Sequence, residues 1–319
     1  MYLGSVRFFK NLIFVAVCIL ILIPTLLAVK FHRQIEQLQA EPPVSEVTPD
    51  DAPELNSPDG TFEPDRRVPE QEPSDAEPSK DAEPISADPP SYQSLYPDFY
   101  APQPYGATVR ETKMIYLTFD DGPSDRTDEI LAVLAEKNVK ATFFVTGKSD
   151  EKDLERMKRI VDEGHTIGMH SYSHDYATVY ASVESFMEEF YKNFTQIREA
   201  TGMSPTVFRC PGGSINGYDG GFYQEILSEM IRRGFVPFDW NISSEDAVTT
   251  HIQPAAQLAA NVVRGANGKI RGFVLFHDSE MKKTTPQAVG TTIDQLRNMG
   301  FDFAAITPST LPVLYNYPN

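Results

Sequence analysis

The stretch from Met114 to Val145, MIYLTFDDGPSDRTDEILAVLAEKNVKATFFV, decides the fold. Residues 114–119 form a β-rich apolar run that ends at two adjacent aspartates, Asp120 and Asp121. Residues 126–138 carry an amphipathic helical pattern, and residues 141–145 are again apolar and β-rich. Two strands joined through a helix pair in parallel, because a parallel connection needs a crossover. The same alternation continues outward. Further strands are predicted at 166–170, 206–209, 235–240, 273–277 and 301–306, with amphipathic stretches at 154–163, 183–200, 223–233, 255–263 and 286–299. Seven strands alternating with helices predict an α/β barrel close to the (β/α)8 plan, in which chemistry sits at the C-terminal ends of the strands.

The chain upstream has a different texture. Between residues 41 and 100 lie 16 acidic residues, 3 basic residues and 13 prolines, out of a net charge of −17 for all 319 residues. Such a segment has too little apolar surface to offset the entropy of ordering, and its like charges repel. It predicts a semi-extended spacer. Residues 12–29, LIFVAVCILILIPTLLAV, are apolar or nearly so and flanked by Arg7, Lys10, Lys30 and Arg33. That length suits a membrane-spanning helix. A cleaved signal peptide is the alternative, although Leu26 and Ala28 make a poor small-x-small site. The predicted organisation is a cytoplasmic stub and anchor at 1–33, a disordered Pro/Glu/Asp-rich linker at 34–110, and a folded domain at 111–312. A sequence pI near 4.8 without a basic stripe argues against nucleic-acid binding. Cys18 and Cys210 rule out a disulfide framework, and no feature points to a protein partner.

Four predicted strand ends carry candidate chemistry: Asp120-Asp121-Gly122-Pro123, His170-Ser171-Tyr172-Ser173-His174, Arg209-Cys210-Pro211-Gly212-Gly213 and Leu275-Phe276-His277-Asp278. Asp-Gly-Pro alone is ordinary turn vocabulary, and a lone histidine at a strand end is more often structural. Two imidazoles and a carboxylate, however, make a three-ligand metal site with an open position for water. Convergence of all four ends on one barrel rim outweighs any single motif.

In this order, TFDDGP, HSxxH, RxPGG and LxHD resemble the motifs of the polysaccharide deacetylases, the family-four carbohydrate esterases with a NodB-type homology domain. The resemblance covers about residues 111–308. It implies a distorted (β/α)7 barrel that removes acetyl groups from N-acetylated sugars of chitin-like or peptidoglycan polymers. It implies Asp121, His170 and His174 as ligands of one divalent metal, zinc in most members and otherwise cobalt, nickel or manganese. Asp120 would be the general base and His277 the general acid. Arg209, Pro211, Gly212, Trp240 and Leu275 would surround the substrate and its oxyanion.

The chain departs from the family at WNISSEDA, residues 240–247. Relatives commonly carry an aspartate where Ser243 stands, and that carboxylate is thought to orient the histidine. Asp246 is retained, whereas Ala247 replaces a tryptophan. Serine supports an imidazolium less well than a carboxylate does, so a His277 pKa lower than in those relatives is expected unless Asp246 reaches it. The expected protein is therefore a single-pass membrane enzyme. Its catalytic domain faces the cell wall and acts on N-acetylglucosamine of peptidoglycan. The alternatives are an O-acetyl carbohydrate esterase and a wall-binding module of the same fold with weakened turnover.

Overall fold

The computed structural model describes residues 89–102, 113–214, 216–218, 221–248 and 252–315. The expected anchor at 1–33 and most of the expected linker lie outside the described residues. Among those described, no helix is long and apolar enough to cross a membrane.

Eight parallel strands form one sheet: β1 Met114–Asp120, β2 Thr142–Val145, β3 Thr166–Met169, β4 Val207–Phe208, β5 Val236–Pro237, β6 Ile242–Ser243, β7 Arg271–His277 and β8 Asp302–Phe303. The helices are α1 Asp125–Glu136, α2 Glu151–Asp162, α3 Tyr176–Val179, α4 Val183–Thr201, α5 Tyr223–Arg232, α6 Ala255–Ala266 and α7 Thr285–Asn298. The spatial order is β5-β4-β3-β2-β1-β7-β6. β7 takes one edge of β1 over its whole length, from Met114↔Arg271 to Asp120↔His277. The other edge is divided, with Thr118, Phe119 and Asp120 on β2 and Met114 and Ile115 on β8.

The predicted alternation is thus present as a parallel half-barrel with helices, consistent with a distorted barrel, and β5 and β6 end the sheet without pairing to each other. The extra strand β6 lies just beyond the strand predicted at 235–240. The C-terminal segment covers the opening: Asp239 N–H donates to the Val313 carbonyl at 2.8 Å, and Tyr315 N–H to Asp239 Oδ2 at 2.8 Å.

Side chains alternate along each strand. Outward positions such as Ile115, Leu117 and Phe119 join Leu131, Phe190 and Ile293 in the main core beneath the helices. Inward positions build a smaller cluster of Met114, Tyr116, Phe144, Val207, Phe238, Phe273 and Ile306. Above it, still inside the barrel, lie Thr118, Asp120 and Arg209, all buried. The barrel is therefore filled below by apolar side chains and carries its polar layer at the C-terminal rim.

The linker expectation requires correction for residues 89–102. This segment packs on the domain. Phe99 is fully buried against Phe194 and Phe235, with ring centroids at 5.1 and 4.8 Å, and Tyr96 stacks on Tyr191 at 4.3 Å. Buried Arg233, held by Glu229 at 2.6 Å, donates to the carbonyls of Leu95 at 2.8 Å, Tyr96 at 3.0 Å and Phe99 at 3.2 Å. One guanidinium thus satisfies several backbone acceptors of an irregular segment, which removes the usual cost of burying one.

Candidate active site

Asp120 ends β1 and is the register partner of His277 on β7, so their side chains are inward-facing neighbours on adjacent strands. Arg209 reaches Asp120 from beyond β4. Its Nη1 donates to Asp120 Oδ1 at 2.7 Å and to Thr118 Oγ1 at 2.8 Å, its Nε to the Phe238 carbonyl and its Nη2 to the Asp239 carbonyl, both at 2.9 Å. Its guanidinium lies 4.3 Å over the Phe144 ring. Arg209 was expected beside the substrate. The structure instead buries it completely, because its donors are spent on Thr118, Asp120 and the backbone that follows β5. Burial lifts the Asp120 carboxyl above its usual range, against the opposing pull of Arg209 and His277.

Asp121, His170 and His174 bring one ligand atom each into a common cluster, all within 4.8 Å of one another. Asp121 Oδ1 lies 3.5 Å from His170 Nε2 and 3.3 Å from His174 Nε2, and it has no hydrogen-bond partner among the described residues despite being buried. His170 Nδ1 lies 2.8 Å from the Arg209 carbonyl. A carbonyl only accepts, so Nδ1 carries the proton and Nε2 presents a lone pair. Burial holds the His170 pKa down to about 3, which keeps the ring neutral. An orphaned carboxylate oxygen facing ring nitrogens, one of which is fixed as an acceptor, fits a divalent cation. Asp121, Ser171 and His174 adopt φ of 73°, 66° and 55°. Left-handed backbone at three non-glycine residues is costly and clusters at functional sites.

The loop between the histidines is clamped from α4. Glu189 Oε2 accepts from both the backbone N–H and the hydroxyl of Ser173 at 2.7 Å, and Asn193 Oδ1 accepts from His170 N–H at 3.2 Å. Neither residue was anticipated. The available signal was that Glu189 and Asn193 interrupt the apolar stripe of Phe186, Phe190, Phe194 and Ile197 on one helix face.

Asp246 decides the state of His277. Its Oδ1 lies 2.7 Å from His277 Nδ1, while its Oδ2 accepts from His277 N–H at 2.8 Å and from the Thr285 hydroxyl at 2.9 Å. Desolvation opposes a charged ring, but the hydrogen bond and charge of Asp246 outweigh it and push the His277 pKa up to about 9. The pKa is therefore raised, the outcome expected where Asp246 reaches the ring in place of the residue at 243. Ser243 Oγ accepts from Glu245 N–H at 3.0 Å, and the carboxylate comes from three residues further on. His277 Nδ1 is engaged, which leaves Nε2 for other chemistry.

The remaining expected residues are distributed around this rim. Pro211 is buried, and its carbonyl accepts from the Tyr180 hydroxyl at 2.7 Å. Gly212 is exposed at φ 77°, and its N–H makes no hydrogen bond among the described residues. Gly213 N–H closes the turn on the Cys210 carbonyl at 2.8 Å. Trp240 is half-buried, edge-on to Tyr315 at 5.6 Å, and presses on Gly213, where a Cβ would come within 2.9 Å of its ring. Leu275 lies two residues before His277 on the inward face of β7, nearly buried. Gly122 holds the Asp120–Asp121 turn against buried Asp278, whose carboxylate would lie 2.2 Å from any Cβ there. Burial lifts the Asp278 pKa to about 7.

Comparison with known proteins agrees with this geometry. The family model described as polysaccharide deacetylase matches residues 107–219. A peptidoglycan-N-acetylglucosamine deacetylase of Bacillus cereus is 34% identical over 214 residues, which cover 66% of this chain and 76% of that protein. The peptidoglycan-N-acetylglucosamine deacetylase PgdA of Listeria monocytogenes is 32% identical over 199 residues, and the chain spans only 39% of its length. Among solved structures, the catalytic domain of a peptidoglycan N-acetylglucosamine deacetylase from Eubacterium rectale superposes with a TM-score of 0.63 at 32% identity. That match covers 67% of this chain and 97% of the other. The polysaccharide deacetylase Bc1974 from Bacillus cereus gives 0.58 at 32%, covering 64% and 97%. By sequence and by fold, the chain belongs to the polysaccharide deacetylase family.

Proposed function

We propose that the protein is a metal-dependent hydrolase that removes N-acetyl groups from cell-wall polysaccharide, with N-acetylglucosamine of peptidoglycan as the substrate. The observation that carries the reading is the pairing of a free metal-ligand cluster, Asp121, His170 and His174, with an acid and a base that are register neighbours beside it. The names of the B. cereus, L. monocytogenes and E. rectale relatives supply the sugar and the polymer.

A divalent ion held by Asp121, His170 and His174, which we take to be zinc, would supply a Lewis acid and bring the pKa of a water from 15.7 toward about 7. The protein side chains do the rest. Asp120, held by Arg209, takes a proton from the attacking water. The water oxygen adds to the acetamide carbonyl carbon, and the exposed Gly212 N–H would donate to the oxygen that gains charge. The carbon–nitrogen bond then breaks as His277, charged because Asp246 holds its other nitrogen, gives a proton to the departing amine. The products are acetate and a free amino sugar. The carboxylate on His277 also removes the feature, Ser243 without a replacement, that suggested a binding module of weakened turnover.

The apolar run at 12–29 would hold the enzyme on the membrane with its domain toward the wall. Mass spectrometry of glycan fragments released from treated peptidoglycan tests the reading. Loss of acetyl from the hexosamine nitrogen is expected, and loss confined to O-acetyl groups would replace it with the esterase reading.

A further inference from the structure

Tyr176 opens α3, two residues beyond His174, and its ring stands edge-on to that imidazole at 5.5 Å and 84°. It packs at 4.8 Å against exposed Tyr218 and at 6.0 Å against Tyr180. Its hydroxyl lies against the loop that follows β4. A Cβ built on Gly212 would come within 3.0 Å of Tyr176 Oη, so the phenol occupies the space that a side chain at position 212 would fill. The Tyr176 hydroxyl makes no hydrogen bond among the described residues. The Tyr176 hydroxyl therefore lies against the side of Gly212 that a Cβ would occupy, the Gly212 N–H has no partner among the described residues, and the Tyr176 ring flanks His174 of the metal-ligand cluster. Two donors without an acceptor between them match an oxygen that gains negative charge during reaction.

We propose that the Tyr176 hydroxyl is a catalytic hydrogen-bond donor, acting with Gly212 N–H on the carbonyl oxygen of the acetyl group as it becomes an oxyanion. The inference rests on the deacetylase reading and adds a residue to it. Such a donor is stronger in the transition state than with bound substrate, so its removal lowers kcat and leaves KM nearly unchanged. The donor would act on the acetyl group itself, whatever carries it. A contact to the sugar would instead be felt only with a glycan.

The test is Tyr176→Phe in the metal-loaded full chain, assayed on a tetramer of N-acetylglucosamine and on 4-nitrophenyl acetate. The expected result is a fall in kcat on the order of 10²-fold on both probes, the usual loss for one such donor, with the tetramer KM within about twofold. Melting temperature and metal content should match the parent. An unchanged kcat would overturn the proposal, as would a rise in KM for the tetramer alone. Loss of bound metal in the variant would also overturn it, by making Tyr176 a support for His174. A parent chain that releases acetate from neither probe removes the deacetylase reading itself, and the inference with it.

Discussion

Asp246 Oδ1 sits 2.7 Å from His277 Nδ1, and the same carboxylate also accepts the backbone N–H of His277. The imidazole proposed as the acid is thus positioned and charged by one residue. With the His277 pKa at about 9, its acidic form dominates below that pH and is lost above it. The alkaline limb of kcat/KM should therefore fall near pH 9. Asp246→Asn should move the limb down toward the ordinary histidine range near 6.5. Ser243→Asp should leave it in place, because Ser243 bonds to the Glu245 backbone. A limb that shifts in the Ser243 variant and not in the Asp246 variant would reverse the assignment.

The adjacent aspartates should fail differently. Asp121→Asn weakens the ligand set and should lower metal affinity, read by titration against a chelator. Asp120→Asn should retain metal and lose on the order of 10² to 10⁴ in kcat, the usual share of a general base. Equal loss of metal in the two variants would show their roles exchanged.

Arg209 is fully buried with its charge paired to Asp120. Arg209→Met leaves that carboxylate buried without its cation, so the Asp120 pKa should climb and the acid limb of the rate profile should move to higher pH. Breaking a buried pair from one side should also cost about 3–5 kcal/mol in urea unfolding. An unmoved acid limb in a folded variant would show that Asp120 does not depend on Arg209.

The packed segment at 89–102 makes a stability prediction. Phe99→Ala should destabilise the domain by about 3–5 kcal/mol, the range for a buried phenylalanine. A fragment beginning at 111 should unfold at lower urea than one beginning at 89. Equal midpoints for the two fragments would mean that the segment adds nothing to the fold.

Much of the architecture was legible because strand and helix periods alternate cleanly. The 114–119 and 273–277 runs became β1 and β7, and the four motif-bearing strand ends meet at one rim. What escaped the sequence depended on contacts between distant elements. The linker composition averaged away Tyr96 and Phe99, whose packing depends on Arg233 at the end of α5. The direction of Arg209 depends on acceptors in β1 and in the segment after β5. The hold on His277 came from Asp246 because the chain after β6 returns beside β7, a path that linear spacing from Ser243 does not reveal. Tyr176 carries no motif of its own, and only its position against Gly212 distinguishes it.

The central claim is tested most directly by acetate release from N-acetylglucosamine oligomers by the full chain, measured before chelation, after chelation and after zinc is restored. The account predicts release that stops on chelation, returns with zinc, and exceeds release from O-acetylated sugars. Release that persists through thorough chelation, or that occurs only from O-acetylated sugars, would contradict it.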